Sequence, residues 1–209
     1  MSEIKTEKYV EESRKGMQDA VLQKALAELQ QRFGRGTAEA YRQLPEGPDL
    51  RLVAHEIRRH SIDNLDVLLE TLADKIRSNG GHVFFAETDA DAAKYCLEVA
   101  RRNNVRRIVK GKSMVTEEIG LNPALEDAGI EVTETDLGEF IIQLNHETPS
   151  HIIVPAIHKN NDAVATIFHE KIPDTPYTEN VEELTDIARR QLRKRFAKAK
   201  VGLSLSLIH

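Results

Sequence analysis

From His82 onward the chain alternates short apolar runs with capped helical stretches, and this alternation limits its possible folds more than any other feature. The runs "HVFFAE", "VRRIVKGK", "IEVTETD" and "HIIVPA" have the length and apolar content of strands. Between them lie "TDADAAKYCLEVARRNN" and "SMVTEEIGLNPALEDAG", and "NNDAVATIFHEKI" follows the last; all three read as helices. Thr88 and Asp91 form a near capping box, and Pro123 starts the second half of a broken helix. Strand and helix alternating at this spacing predict a three-layer α/β unit, a mainly parallel sheet with helices on both faces. Strands are expected near 83–86, 106–110, 130–134 and 151–155.

The part before His82 reads as helix. Leu22, Ala25, Leu26, Leu29 and Phe33 recur at helical spacing until "GRG" (34–36), where a break is expected. A second amphipathic stretch runs from about Leu50 to Ser78, with a fresh N-cap signal near Ser61, and "SNGG" stops it. Residues 1–81 are therefore an N-terminal helical region and 82–200 an α/β core. The last helix begins at Asn180 with Glu183 as its capping partner. Its basic end, Arg189 to Lys200, suits the helix dipole, and Val181, Leu184, Ile187, Leu192 and Phe196 form its core stripe. The tail 201–209, "VGLSLSLIH", alternates like a half-buried strand with no evident pairing partner.

Composition narrows the function. The 209 residues carry a net charge of −5, which gives no whole-protein field for nucleic acid. No apolar run approaches the roughly 20 residues of a membrane span, and "MSEIKTEKYVEESRKG" lacks the apolar stretch of a secretory signal, so a cytoplasmic location is expected. Cys96 is the only cysteine. One thiol makes no internal disulfide and cannot hold an iron–sulfur cluster, and its helical setting suggests a buried structural role. The histidines show no metal-ligand spacing, so no metal site is expected.

Candidate site residues cluster at the ends of the expected strands, where open α/β sheets bind ligands. In "VKGKSMVTEE", Lys110, Lys112, Ser113 and Thr116 could together hold a small anion at a helix N-terminus. The same serine and threonine could equally be a capped turn, because Glu117 and Glu118 already occupy the dipole end. Arg106 stands where a nucleotide-triphosphate loop needs glycine, which rejects that reading. "ETDLGEF" brings Glu134, Asp136 and Glu139 together, and a carboxylate pair there could do acid–base work. His158 and Lys159 follow the fourth run, and His158 is the best single catalytic candidate. The composite expectation is catalytic His158, Glu139 and Asp136, with Lys110, Lys112, Ser113, Thr116 and Lys159 binding ligand around one cleft.

Three blocks, "VKGKSMVTEEIGLNPALEDAGIEVTETDLGEFIIQL", "PSHIIVPAIHK" and "NLDVLLETLADKIRSNGGHVFFAE", closely resemble the LUD domain of the iron–sulfur subunits of lactate-utilisation systems. The resemblance implies an α/β domain of NagB/RpiA/CoA-transferase-like type. It also implies membership of a multisubunit complex that oxidises L-lactate to pyruvate, and two [4Fe–4S] clusters carried by a cysteine-rich region further along such proteins. That region has no counterpart here, so the chain is expected to be a C-terminally truncated member with an incomplete core, a non-family tail and no cofactor of its own. The expected partners are the other subunits of the complex, with self-association through the uncovered sheet or tail. The alternatives are a stand-alone small-molecule enzyme of isomerase or CoA-transferase type, and a non-catalytic assembly module.

Overall fold

The computed structural model describes residues 6–44, 47–147, 149–151 and 154–204. In chain order its elements are α1 (Thr6–Gln18), α2 (Ala20–Gln43), α3 (Gly47–Asp63), α4 (Leu65–Ser78) and α5 (Asp89–Arg102). These are followed by β1 (Arg107–Lys110), α6 (Met114–Glu118), α7 (Leu121–Asp127), β2 (Glu131–Glu134) and α8 (Leu137–Leu144). The last are α9 (Asn161–Lys171), α10 (Val181–Lys198) and β3 (Val201–Leu203). The chain divides into two compact units, one of Met1–Ala25 with Ala86–His209, the other Leu26–Phe85.

The first unit is α/β. Its described strands form a parallel sheet in the order β2–β1–β3, with Ile108 opposite Val132 on one side and Val201 on the other. Side chains alternate between faces along a strand. Ile108 and Val132 enter a core with Ala100 of α5, Leu121 and Leu125 of α7, and Val105 and Ile130. On the opposite face α10 packs on β1 and α8 on β2. A second core joins Phe140 and Ile141 of α8, Phe168 of α9, and Leu184 and Ile187 of α10. Helix, sheet and helix are the three layers expected.

Local signals explain most helix boundaries here. Thr88 accepts from the Asp91 amide, and its hydroxyl donates to the Asp91 carboxylate. Gly120, at φ +62°, separates α6 from α7, a left-handed turn that glycine adopts without steric cost. Asn180 caps α10 as expected, but Glu183 takes its bond from the Thr178 hydroxyl, which in turn accepts from the Asn180 amide. The stripe of α10 is narrower than its spacing suggests. Leu184, Ile187 and Ala188 are buried, whereas Val181 and Phe196 are exposed.

Two strand expectations change, and a third falls partly outside the described residues. "HVFFAE" forms no strand; it lacks a ladder partner among the described residues, and Phe84 and Phe85 are exposed. The run at 151–155 lies partly outside the described residues, and Pro155–His158 form a turn. The tail is not an orphan in its first part: β3 fills the second edge of β1, and Gly111 N–H donates to the Leu203 carbonyl. Residues 205–209 of the tail lie outside the described residues.

The second unit is helical. Here α2 runs through Gly34 and Gly36 without the expected break. Each glycine costs a helix about 1 kcal/mol, too little to interrupt a long run of good formers. The 50–78 stretch does divide, at Asn64, close to the expected position. Apart from Gly47, only Ala73 is buried among the described residues of these helices.

Candidate functional site

The sheet register creates the first part of the site. Lys110 and Glu134 are the last residues of β1 and β2 and lie directly opposite each other. Their side chains meet as an ion pair at 2.8 Å with both groups buried. Lys110 Nζ also donates to Thr116 Oγ1 at 2.9 Å, and that hydroxyl donates to the Ser113 carbonyl. Ser113 Oγ accepts from the Thr116 amide and caps α6. The turn in "KGKS" is thus both a helix cap and the seat of a buried lysine.

A second carboxyl arrives on α8. Asp136 caps that helix, accepting from the amides of Gly138 and Glu139. Gln143, one turn beyond Glu139, fixes the helix to β2: its Nε2 donates to the Val132 carbonyl, and its Oε1 accepts from the Glu134 amide. The result aims Glu139, only 5% exposed, at Glu134. Burial, the Glu134 charge and a hydrogen bond with that carboxyl push Glu139 up to about 7, against the weaker opposing pull of Lys112. Lys112 Nζ lies 3.7 Å from Glu139 Oε1. Asn122 of α7 donates to Glu134 Oε1 at 2.7 Å. Glu134 Oε2, Glu139 Oε2 and Asn122 Oδ1 are buried and receive no N–H or hydroxyl donor among the described residues.

These groups line a cleft of about 620 Å³, together with Thr116, Glu117 and Glu147, a volume typical of small-molecule sites. Burial raises Glu117 also. Glu147 differs. Burial would raise it, but hydrogen bonds from Lys159, His158 and Asn145 hold it down at about 2. Lys159 Nζ is 2.6 Å from Glu147 Oε1, and His158 Nε2 is 2.9 Å from Oε2. The other nitrogen of His158 meets Ser150 Oγ at 2.6 Å.

Of the residues expected from sequence, Lys110, Lys112, Thr116 and Glu139 come together around the carboxyl pair, with Ser113 bonded to Thr116 and Asp136 at the foot of α8. His158 and Lys159 form a neighbouring cluster and reach the cleft through Glu147. Glu147 and Asn122 were not singled out from sequence. Nothing in their spacing marks them; Asn122 reaches Glu134 across 12 residues, and Glu147 meets His158 and Lys159 across 11 and 12.

Fold and site define an α/β protein with a lysine-paired carboxyl cluster at the carboxyl ends of parallel strands. The family profile of the LUD domain matches residues 69–207, and the chain belongs to this family. It is 45% identical over 202 residues to "Lactate utilization protein B" of Bacillus velezensis, covering 96% of this chain and 42% of that protein. It is 44% identical over 195 residues to "Uncharacterized electron transport protein YkgF" of Escherichia coli, covering 91% of this chain and 40% of that protein. A further "Lactate utilization protein B", from Bacillus licheniformis, is 44% identical over 202 residues, 96% of this chain and 42% of that protein. The chain therefore spans less than half the length of these relatives. No solved structure matches it.

Proposed function

We propose that this chain is the LUD-domain portion of an electron-transfer protein that takes part in the oxidation of L-lactate to pyruvate. The observation that supports this is identity of 44–45% to two curated relatives, one named for lactate utilisation and one for electron transport, sustained over 91–96% of the chain. Clusters of [4Fe–4S] type would carry the electrons. The residues here do not fit one: Cys96 is the only thiol in the sequence, where such clusters take four cysteines. We assign the clusters to the part of such proteins that lies beyond this stretch. The LUD portion supplies ligand binding and assembly with the other subunits, in the cytoplasm.

The test is genetic and biochemical. Deleting the gene that encodes the full-length protein should abolish growth on L-lactate while sparing growth on pyruvate. Affinity purification of the full-length product should bring down its partner subunits with iron and lactate-oxidising activity. Undiminished growth on lactate after deletion would refute the assignment.

A further inference from the structure

We propose that the pocket between α10 and the amino ends of β1 and β2 binds the phosphate group of a small molecule, with Arg195 as its anchor. This site lies at the other end of the strands from the Glu134–Glu139 cleft, and it does not rest on the role in lactate utilisation.

Helix and strand periodicity build the pocket. Lys194, Arg195 and Lys198 sit three and four residues apart on α10 and so share one face. Ile108 and Val132 enter the core on one side of the sheet, so Arg107, Glu131 and Thr133 stand on the other, where α10 packs. These six side chains line a pocket of about 230 Å³. Arg107 and Glu131 are register partners and satisfy each other in an ion pair at 2.8 Å. Lys194, Arg195 and Lys198 make no ion pair among the described residues. Like charges four residues apart on a helix repel, and no carboxylate in the pocket is left to offset them.

The helix dipole accounts for cations near the end of α10, but two further features of the pocket need a ligand. The guanidinium of Arg195 lies over the Phe140 ring, with Cζ 5.0 Å from the centroid. Its buried Nη1 meets no hydrogen-bond acceptor among the described residues. Thr133 is only 5% exposed, lines the same pocket, and its hydroxyl makes no hydrogen bond among the described residues. A guanidinium drawn off the surface and a hydroxyl on a buried strand are both donors short of an acceptor, and buried donors are normally paired.

The chemistry of these donors selects the ligand. An arginine fork matches the oxygens of a phosphate group, and stacking on Phe140 holds the fork in place before the ligand arrives. Lys194 and Lys198 add point charges, and the Thr133 hydroxyl can donate to a further oxygen. A dianion offsets the uncompensated cations better than a monocarboxylate does. Size sets the upper limit: the pocket is smaller than the roughly 300–1,000 Å³ of sites for drug-sized ligands. It takes orthophosphate, or the head of a small phosphate monoester.

The experiment is isothermal titration calorimetry of the 209-residue chain at low ionic strength with orthophosphate, glycerol 3-phosphate and L-lactate in turn. Orthophosphate or the monoester should bind saturably, and the tighter of the two identifies the source of the phosphate group. L-lactate, a monocarboxylate, should bind at least about tenfold more weakly. Arg195→Gln should weaken phosphate binding about tenfold or more, and Thr133→Val, which keeps the shape of the side chain, several-fold. Arg193→Gln removes the same charge from the same helix outside the pocket and should leave binding within about twofold of wild type. Circular dichroism establishes that each variant is folded, and if R195Q is not, T133V decides. No saturable phosphate binding by the folded wild type, or L-lactate bound as tightly as phosphate, would overturn the proposal. So would folded R195Q or T133V binding like wild type, or R193Q losing as much affinity as R195Q, the mark of diffuse attraction to a basic helix end.

Discussion

Lys110 and Glu134 are register partners on adjacent parallel strands, and their buried side chains close an ion pair at 2.8 Å directly above the point where the two strands end. The pair locks the turn after β1 to the turn after β2, because Lys110 also holds Thr116 and its carbonyl accepts from the Thr135 amide and hydroxyl. Breaking one partner leaves an uncompensated buried charge, which costs about 3–5 kcal/mol. Glu134→Ala should therefore lower the urea midpoint sharply. Replacing both groups, as Lys110→Met with Glu134→Gln, should recover much of that loss. A single variant as stable as wild type would contradict this account.

Glu139 makes stability fall with rising pH. Its carboxyl is raised from 4.5 to about 7, so the folded state binds the proton more tightly than the unfolded chain. The stability it contributes is fully present below about 4.5 and is lost as pH rises through about 7. Each tenfold difference in proton affinity between the two states is worth about 1.4 kcal/mol, so the loss is a few kcal/mol at most. Urea unfolding between about pH 5 and 7.5 should show this decline, and Glu139→Gln should flatten it.

Local chemistry was legible in the sequence; the long-range pairings that build the site were not. Ser113, Thr88 and Asn180 are caps because a short side chain with an oxygen precedes a helical run, a signal contained within four residues. Strands β1 and β2 also declare themselves as apolar runs. That Lys110 faces Glu134 depends on the register of two strands separated by a pair of helices, which no local pattern carries. "HVFFAE" looks like a strand by composition, yet a strand exists only where a ladder partner is placed beside it, and here β3 takes the free edge of β1. Glu147 escaped notice because its partners, His158 and Lys159, come back to it across a turn.

Asp136 and Ser113 separate a cap from a chemical group. Asp136→Ala should cost about 1 kcal/mol through loss of the bonds to Gly138 and Glu139. Asp136→Asn should be nearly neutral in stability, since the amide oxygen can still accept. Thermal denaturation of the two variants decides the point; equal destabilisation would show that the negative charge, not the cap bond, matters there.

Glu147 gives the opposite pH signature to Glu139. Burial opposes its charge, but Lys159, His158 and Asn145 hold it at about 2, below its ordinary 4.5. Its contribution is present above about 4.5 and is lost as pH falls toward 2. Hydrogen bonds to a charged group are worth about 1.5–3 kcal/mol. Glu147→Gln should therefore destabilise the chain at neutral pH by an amount that shrinks in acid. Urea titrations at about pH 7 and about pH 3 check this.

The helical unit of residues 26–85 exposes aliphatic side chains that water solvates poorly. Leu52 is 66% exposed, Ile57 61%, Ile62 71% and Leu72 55%. Burying such a side chain fully gains about 1.5–3 kcal/mol, so a surface carrying several of them on α3 and α4 favours association over solvation. The 209-residue chain should self-associate at micromolar concentration through these helices. Substituting Leu52→Glu together with Ile57→Glu places charge on the face of α3 where Leu52, Val53, Glu56, Ile57, His60 and Ser61 form an apolar groove. Sedimentation velocity should then show the association weakened at least tenfold, with helical content unchanged. A wild-type chain that sediments as a monomer at hundreds of micromolar would show that these side chains do not drive self-association.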